Sequence, residues 1–237
     1  MRSRTLALST ALGIALLPAA VPSAAASGVQ RVLVPGSYGG AEATAAGAAE
    51  LLARVRTCER ISNGLYRTDA GTPATVPVCG LRGAVFWKAD MDIDCDGQST
   101  PRCNAATDPY FLPQTTFRQS DGRPLNAEEL PFVVVPGAGA LWRHSASGIT
   151  GGSVVAVIHG DRVRYGVVGD TGPVTTIGEA SWAMAESLGI DPDPGTGGVR
   201  SGVTYILFKD SRVRPIESHD AAVGLGKSLA RKFLREN

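Results

Sequence analysis

Apolar positions in this chain fall mostly into short runs bounded by turn residues, and one run alternates strictly with polar positions. The clearest run is Lys88-Ala89-Asp90-Met91-Asp92-Ile93-Asp94-Cys95-Asp96-Gly97, where Met91, Ile93 and Cys95 oppose Asp90, Asp92, Asp94 and Asp96. Period-two alternation predicts a strand with one apolar face and one face of carboxylates. Four like charges on one face repel, so the stripe implies a positive partner: a metal ion, a basic segment or a cationic substrate. Further strands are expected over 83–95, 131–135, 153–159, 162–169 and 202–209, each short, rich in Val, Ile, Phe or Tyr and bounded by turn residues. Gly160-Asp161 reads as a tight hairpin turn between two of them.

Helical patterns are fewer. Ala41 to Arg56 is alanine-rich, residues 178–188 are expected as a helix, and 220–235 carries an apolar stripe at Val223, Leu229 and Phe233. No repeat and no strand–helix alternation is present, which argues against a parallel-sheet fold. The expected class is mainly β: a small barrel of mixed topology with a few flanking helices. The turn-rich stretch Asp191–Gly198 reads as surface loop.

The first 26 residues change the compartment. Arg2 and Arg4 precede a largely apolar stretch from Thr5 to Leu17, and Ala24-Ala25-Ala26 offers a small-residue cleavage site, the form of a secretory leader. The expected organisation is a signal peptide over 1–26, a flexible and helical lead-in over 27–57, and one catalytic domain over 58–237. Removing Arg2 and Arg4 from the 23 basic residues leaves near-balance against 22 acidic ones. That balance suggests neither nucleic acid nor a membrane as partner; a secreted monomer is expected. The four cysteines, Cys58, Cys79, Cys95 and Cys103, read as two disulfides in an exported chain. Of the three connectivities the local one is favoured, Cys58–Cys79 with Cys95–Cys103. No Cys-x-x-Cys spacing exists and His144, His159 and His219 are scattered, so no metal site and no cofactor is expected there.

Two carboxylates flank the turn after 162–169. Val167-Val168-Gly169-Asp170-Thr171-Gly172-Pro173 ends a strand, and Thr175-Thr176-Ile177-Gly178-Glu179-Ala180-Ser181-Trp182 opens the expected helix, which returns Glu179 towards Asp170. A carboxyl pair across a cleft is the minimum equipment for glycosidic hydrolysis. The plainer readings are specific: Thr176-x-x-Glu179 has the form of a capping box, and Asp170 that of a turn initiator. Asp92-x-Asp94-x-Asp96-Gly97 also matches the opening of a calcium loop, but its twelfth position is Cys103 rather than glutamate. Ser153 lacks a nucleophile elbow. Trp87, Trp142, Trp182, Tyr110 and Phe111 offer rings for stacking on sugars, with core packing as the default.

Taken together, Ala84 to Gln98, Asp108-Pro109-Tyr110-Phe111, Gly169-Asp170-Thr171-Gly172-Pro173 and Ile177-Gly178-Glu179-Ala180-Ser181 resemble the chitosanases of glycoside hydrolase family 75. The resemblance runs from about Cys58 to Lys209. It implies endo-hydrolysis of β-1,4-linked glucosamine polymers with inversion, Asp170 and Glu179 as the essential pair, and chitosan as partner. A fold-level likeness to the six-stranded double-psi barrel of some lytic transglycosylases suggests Glu179 as acid, with Asp170 or an aspartate of the stripe as base. Asp90, Asp92 and Asp94, with Trp87 and Tyr110, are the expected substrate contacts, because an acidic cleft attracts a polymer of ammonium groups. The alternatives are a peptidoglycan-cleaving enzyme on a similar barrel and a secreted calcium- or carbohydrate-binding module.

Overall fold

The computed structural model describes residues 46–237. The expected leader and residues 27–45 of the lead-in lie outside the described residues. In chain order the elements are α1 (Ala48–Arg54), β1 (Glu59–Arg60), β2 (Cys79–Leu81), β3 (Ala84–Asp94), β4 (Phe132–Pro136), β5 (Val154–His159), β6 (Arg162–Gly172), β7 (Glu179–Ser181), α2 (Trp182–Leu188), β8 (Val199–Phe208) and α3 (His219–Glu236). All five expected strands are present within a few residues of their expected ends. The three-residue β7 and the short β1 and β2 carry too little alternation to be read from sequence.

β3 organises the sheet. Its first half pairs antiparallel with β2 and β8, and its last three residues pair parallel with β7, Asp92 opposite Glu179. From β7 the ladder runs to β4, β6, β5 and β8, and β8 closes back on β3. The result is a closed six-stranded barrel of mixed topology, with parallel pairs β3–β7 and β4–β6. Closure leaves the long strands without a free edge.

Alternate residues of each strand feed two apolar clusters. Ala84 and Phe86 pack with Phe132, Val154, Ala156, Ile206 and Phe208, a layer joined by α1 through Leu51 and α3 through Phe233. Val85, Trp87, Ala89 and Met91 pack with Val133, Val155, Val168, Ala180, Tyr205 and Leu207. With both faces buried, the strands read as nearly continuous apolar runs. Each fully buried Leu, Phe or Met side chain contributes about 1.5–3 kcal/mol. Both disulfides take the local pairing, Cys58–Cys79 and Cys95–Cys103. Among the described residues no helix is long and apolar enough to cross a membrane.

One expected element is different. Residues 178–188 are not one helix: Glu179 to Ser181 form β7, and the helix begins at Trp182. Ser181, two residues past Glu179, is the better N-cap, and its Oγ accepts from the Met184 N–H at 3.2 Å. The same hydroxyl donates to the Leu130 carbonyl and accepts from the Phe132 N–H. This stitching to β4 holds 179–181 extended.

Candidate active site

Because Glu179 lies on a strand, the capping-box reading of Thr176-x-x-Glu179 is overturned. Asp170 likewise lies within β6 rather than in a turn, opposite Val134 of β4 just past a register slip. Both side chains line one cavity of about 500 Å³, together with Asp94, Asp96, Tyr110 and Pro173.

The two carboxyls are held differently. Asp170 is buried, and its Oδ1 accepts from the backbone N–H groups of Thr116 (2.8 Å) and Thr171 (2.7 Å). Its Oδ2 has no hydrogen-bond partner among the described residues. Glu179 accepts no such bonds. Burial first, then the neighbouring charges of Asp92, Asp96 and Asp170, push its carboxyl up to about 7. Gly172 makes room for it: a Cβ there would stand 2.7 Å from Glu179 Oε2 and 3.1 Å from Val134 Cγ1.

The acidic stripe of β3 divides. A register slip against β8 lies between Ala89 and Met91. Asp94 and Asp96 line the cavity of Asp170 and Glu179, whereas Asp90 and Asp92 line a neighbouring one. Asp94 Oδ1 accepts from the Asp96 N–H, and Asp96 Oδ1 accepts from the Leu112 N–H, each at 2.7 Å. Burial pushes Asp94 well up and Asp96 up to about 6, in each case reinforced by neighbouring carboxylates. The Cys95–Cys103 bridge fixes the chain between these two aspartates and the Leu112 loop. Asp90 is buried and pushed up to about 7, again by burial first.

The aromatic expectations separate. Tyr110 stands 87% exposed at the cavity rim, raised there by a turn in which Asp108 Oδ1 accepts from the Tyr110 N–H. Trp87, expected as a sugar contact, is corrected to a core residue. It is fully buried, stacked on Tyr205 at 5.4 Å and edge-on to Trp142. Its position on the apolar face of β3, opposite the stripe's side, is the reason. Asp96 lines the same cavity as Asp170 and Glu179, although only Asp90, Asp92 and Asp94 of the stripe were expected as substrate contacts. Asp96 merely continues the stripe's alternation, so a signal for it existed. Asp69, in a Thr-Asp-Ala-Gly turn that carries no such signal, lines the neighbouring cavity with Asp90 and Asp92.

A closed barrel with a paired Asp and Glu facing one acidic cavity has the equipment of a glycoside hydrolase. A family described as fungal chitosanase of glycosyl hydrolase group 75 matches residues 91–231. The chain belongs to that family. It is similar to an endo-chitosanase C of Aspergillus oryzae, 33% identical over 162 residues that cover 62% of this chain and 40% of that protein. An endo-chitosanase of Aspergillus fumigatus is 29% identical over 143 residues, 54% of this chain and 60% of that protein. An endo-chitosanase B of Aspergillus oryzae is 31% identical over 157 residues, 59% of this chain and 65% of that protein. The chain thus spans less than two thirds of the length of each of these relatives.

Proposed function

We propose that this protein is an exported endo-chitosanase that hydrolyses β-1,4 glucosamine linkages with inversion. One observation carries the division of labour: Glu179, held protonated near neutrality by burial and neighbouring carboxylates, shares a cavity with an Asp170 whose Oδ2 is free. Glu179 is the general acid and gives its proton to the departing glycosidic oxygen. Asp170 is the base: two N–H groups fix its Oδ1, and its Oδ2 takes a proton from the water that attacks the anomeric carbon on the opposite face. Positive charge developing on the ring faces Asp94 and Asp96.

The same carboxylates favour a substrate that carries an ammonium on each ring over its N-acetylated counterpart. Tyr110 at the rim offers a face for stacking on a sugar. Reducing-end release from chitosan, chitin and cell-wall glycan, compared side by side, tests the reading. Cleavage confined to chitosan is expected; cleavage of cell-wall glycan alone would overturn it.

A further inference from the structure

Beside the catalytic cavity lies a second cluster of carboxylates. Asp69, Asp90 and Asp92 each offer an oxygen, and the three atoms lie within 4.8 Å of one another. They line a cavity of about 790 Å³ with the stretch Thr196–Ser201. Asp90 is only 4% exposed, and its Oδ1 is buried without a hydrogen-bond partner. Among the described residues no Lys, Arg or His forms an ion pair with any of the three. A buried carboxylate oxygen with no donor is a lasting cost to the folded state, and a resident cation removes it whether or not substrate is bound.

We propose that Asp69, Asp90 and Asp92 bind one calcium ion. Calcium takes hard oxygen donors at about 2.3–2.6 Å, so oxygens sharing one ion lie at most about twice that distance apart, a condition the three atoms meet. The all-carboxylate donor set disfavours softer metals. Calcium's tolerance of irregular shells of six to eight oxygens suits a cluster open to water on one side, where magnesium demands a near-ideal octahedron. The site differs from the calcium loop that Asp92-x-Asp94-x-Asp96 suggests in sequence, because Asp94 and Asp96 line the other cavity.

The ion ties the turn of Asp69, closed by hydrogen bonds between Asp69 and Thr72, to β3 one strand from Glu179. It would also withdraw Asp92 from the charges that keep Glu179 protonated. Burial, the largest cause, stays, together with Asp96 and Asp170.

The test needs no chitosan, so its outcome is separate from that of the enzymatic reading. EDTA-stripped protein is titrated with CaCl2, following melting temperature and heat of binding, for wild type and Asp69→Asn. The expected result is a saturable rise in Tm with one ion per chain. Asp69→Asn should keep the stripped Tm and weaken binding by at least the ~10–100-fold that loss of an outer-shell partner costs. No saturable calcium effect, or an undiminished one in Asp69→Asn, overturns the site. A rise in Tm with glucosamine but not with calcium also overturns it and reassigns the cluster to substrate ammonium groups.

Discussion

Glu179→Gln separates a catalytic carboxyl from a structural one, because the two roles predict opposite changes in stability. The folded protein holds the Glu179 proton up to about 7, against 4.5 for an ordinary glutamate. Between those values the folded state binds a proton that the unfolded chain has released, so Glu179 lowers stability as pH rises from about 4.5 to 7. Above that window the full penalty on the ionised form is on the order of 3 kcal/mol. Glutamine keeps the shape and never ionises. The variant should therefore melt with the wild type near pH 4 and, at 2–4 °C per kcal/mol, roughly 5–10 °C above it near pH 8. Its activity on chitosan should fall by about 10²–10⁴-fold, the usual contribution of general acid catalysis. Calorimetry at the two pH values, paired with reducing-end release, reads both. Near-native turnover would refute the assignment. So would a loss of Tm at pH 8, which would mean that the carboxylate stabilises the fold.

Three further outcomes follow from the same geometry. Asp96 is one of the charges that keep Glu179 protonated, so Asp96→Asn should move the basic limb of the kcat/KM profile to lower pH; titration of the substrate is common to both enzymes, and an unmoved limb would contradict the coupling. Gly172→Ala places a Cβ against Glu179 Oε2 and Val134, and a displacement of about 1 Å should cost roughly 10²-fold in activity; kinetics within twofold of wild type would show that Glu179 needs no such room. Replacing Cys95 and Cys103 by Ser releases a bridge of sequence separation 8, which the chain-entropy account values at about 2–3 kcal/mol; denaturant unfolding should show a loss of that order, with a rise in KM as the Leu112 loop loosens.

One alternating stripe and several short apolar runs made most of the barrel legible. The stripe at 90–96, the runs at 131–135 and 153–159 and the hairpin at Gly160-Asp161 each carry a local signal that the closed sheet preserves. Closure and strand order rest on pairings between distant segments, for which no local pattern exists. β7 was hard to see because a short strand running directly into a helix reads as that helix's first turn, and what holds it extended is tertiary: its pairing with β3 and β4 and the hydrogen bonds of Ser181. The convergence of Asp170 and Glu179 on one cavity was legible through their motifs. Their environment was not: Thr116, which supplies an N–H to Asp170, is 54 residues away in sequence. The division of the stripe into two cavities falls between Asp92 and Asp94, and the period-two pattern does not reveal it.

The central claim is that Glu179 and Asp170 hydrolyse a glucosamine linkage as acid and base in a single displacement. Proton NMR of the anomeric signals during the first minutes of hydrolysis of a glucosamine oligomer tests it most directly. The account predicts that the α-anomer of the new reducing end appears first and that its signal decays later towards the equilibrium mixture. Initial formation of the β-anomer would mean a retaining reaction with a covalent intermediate, and no cleavage of the oligomer at all would remove the activity itself.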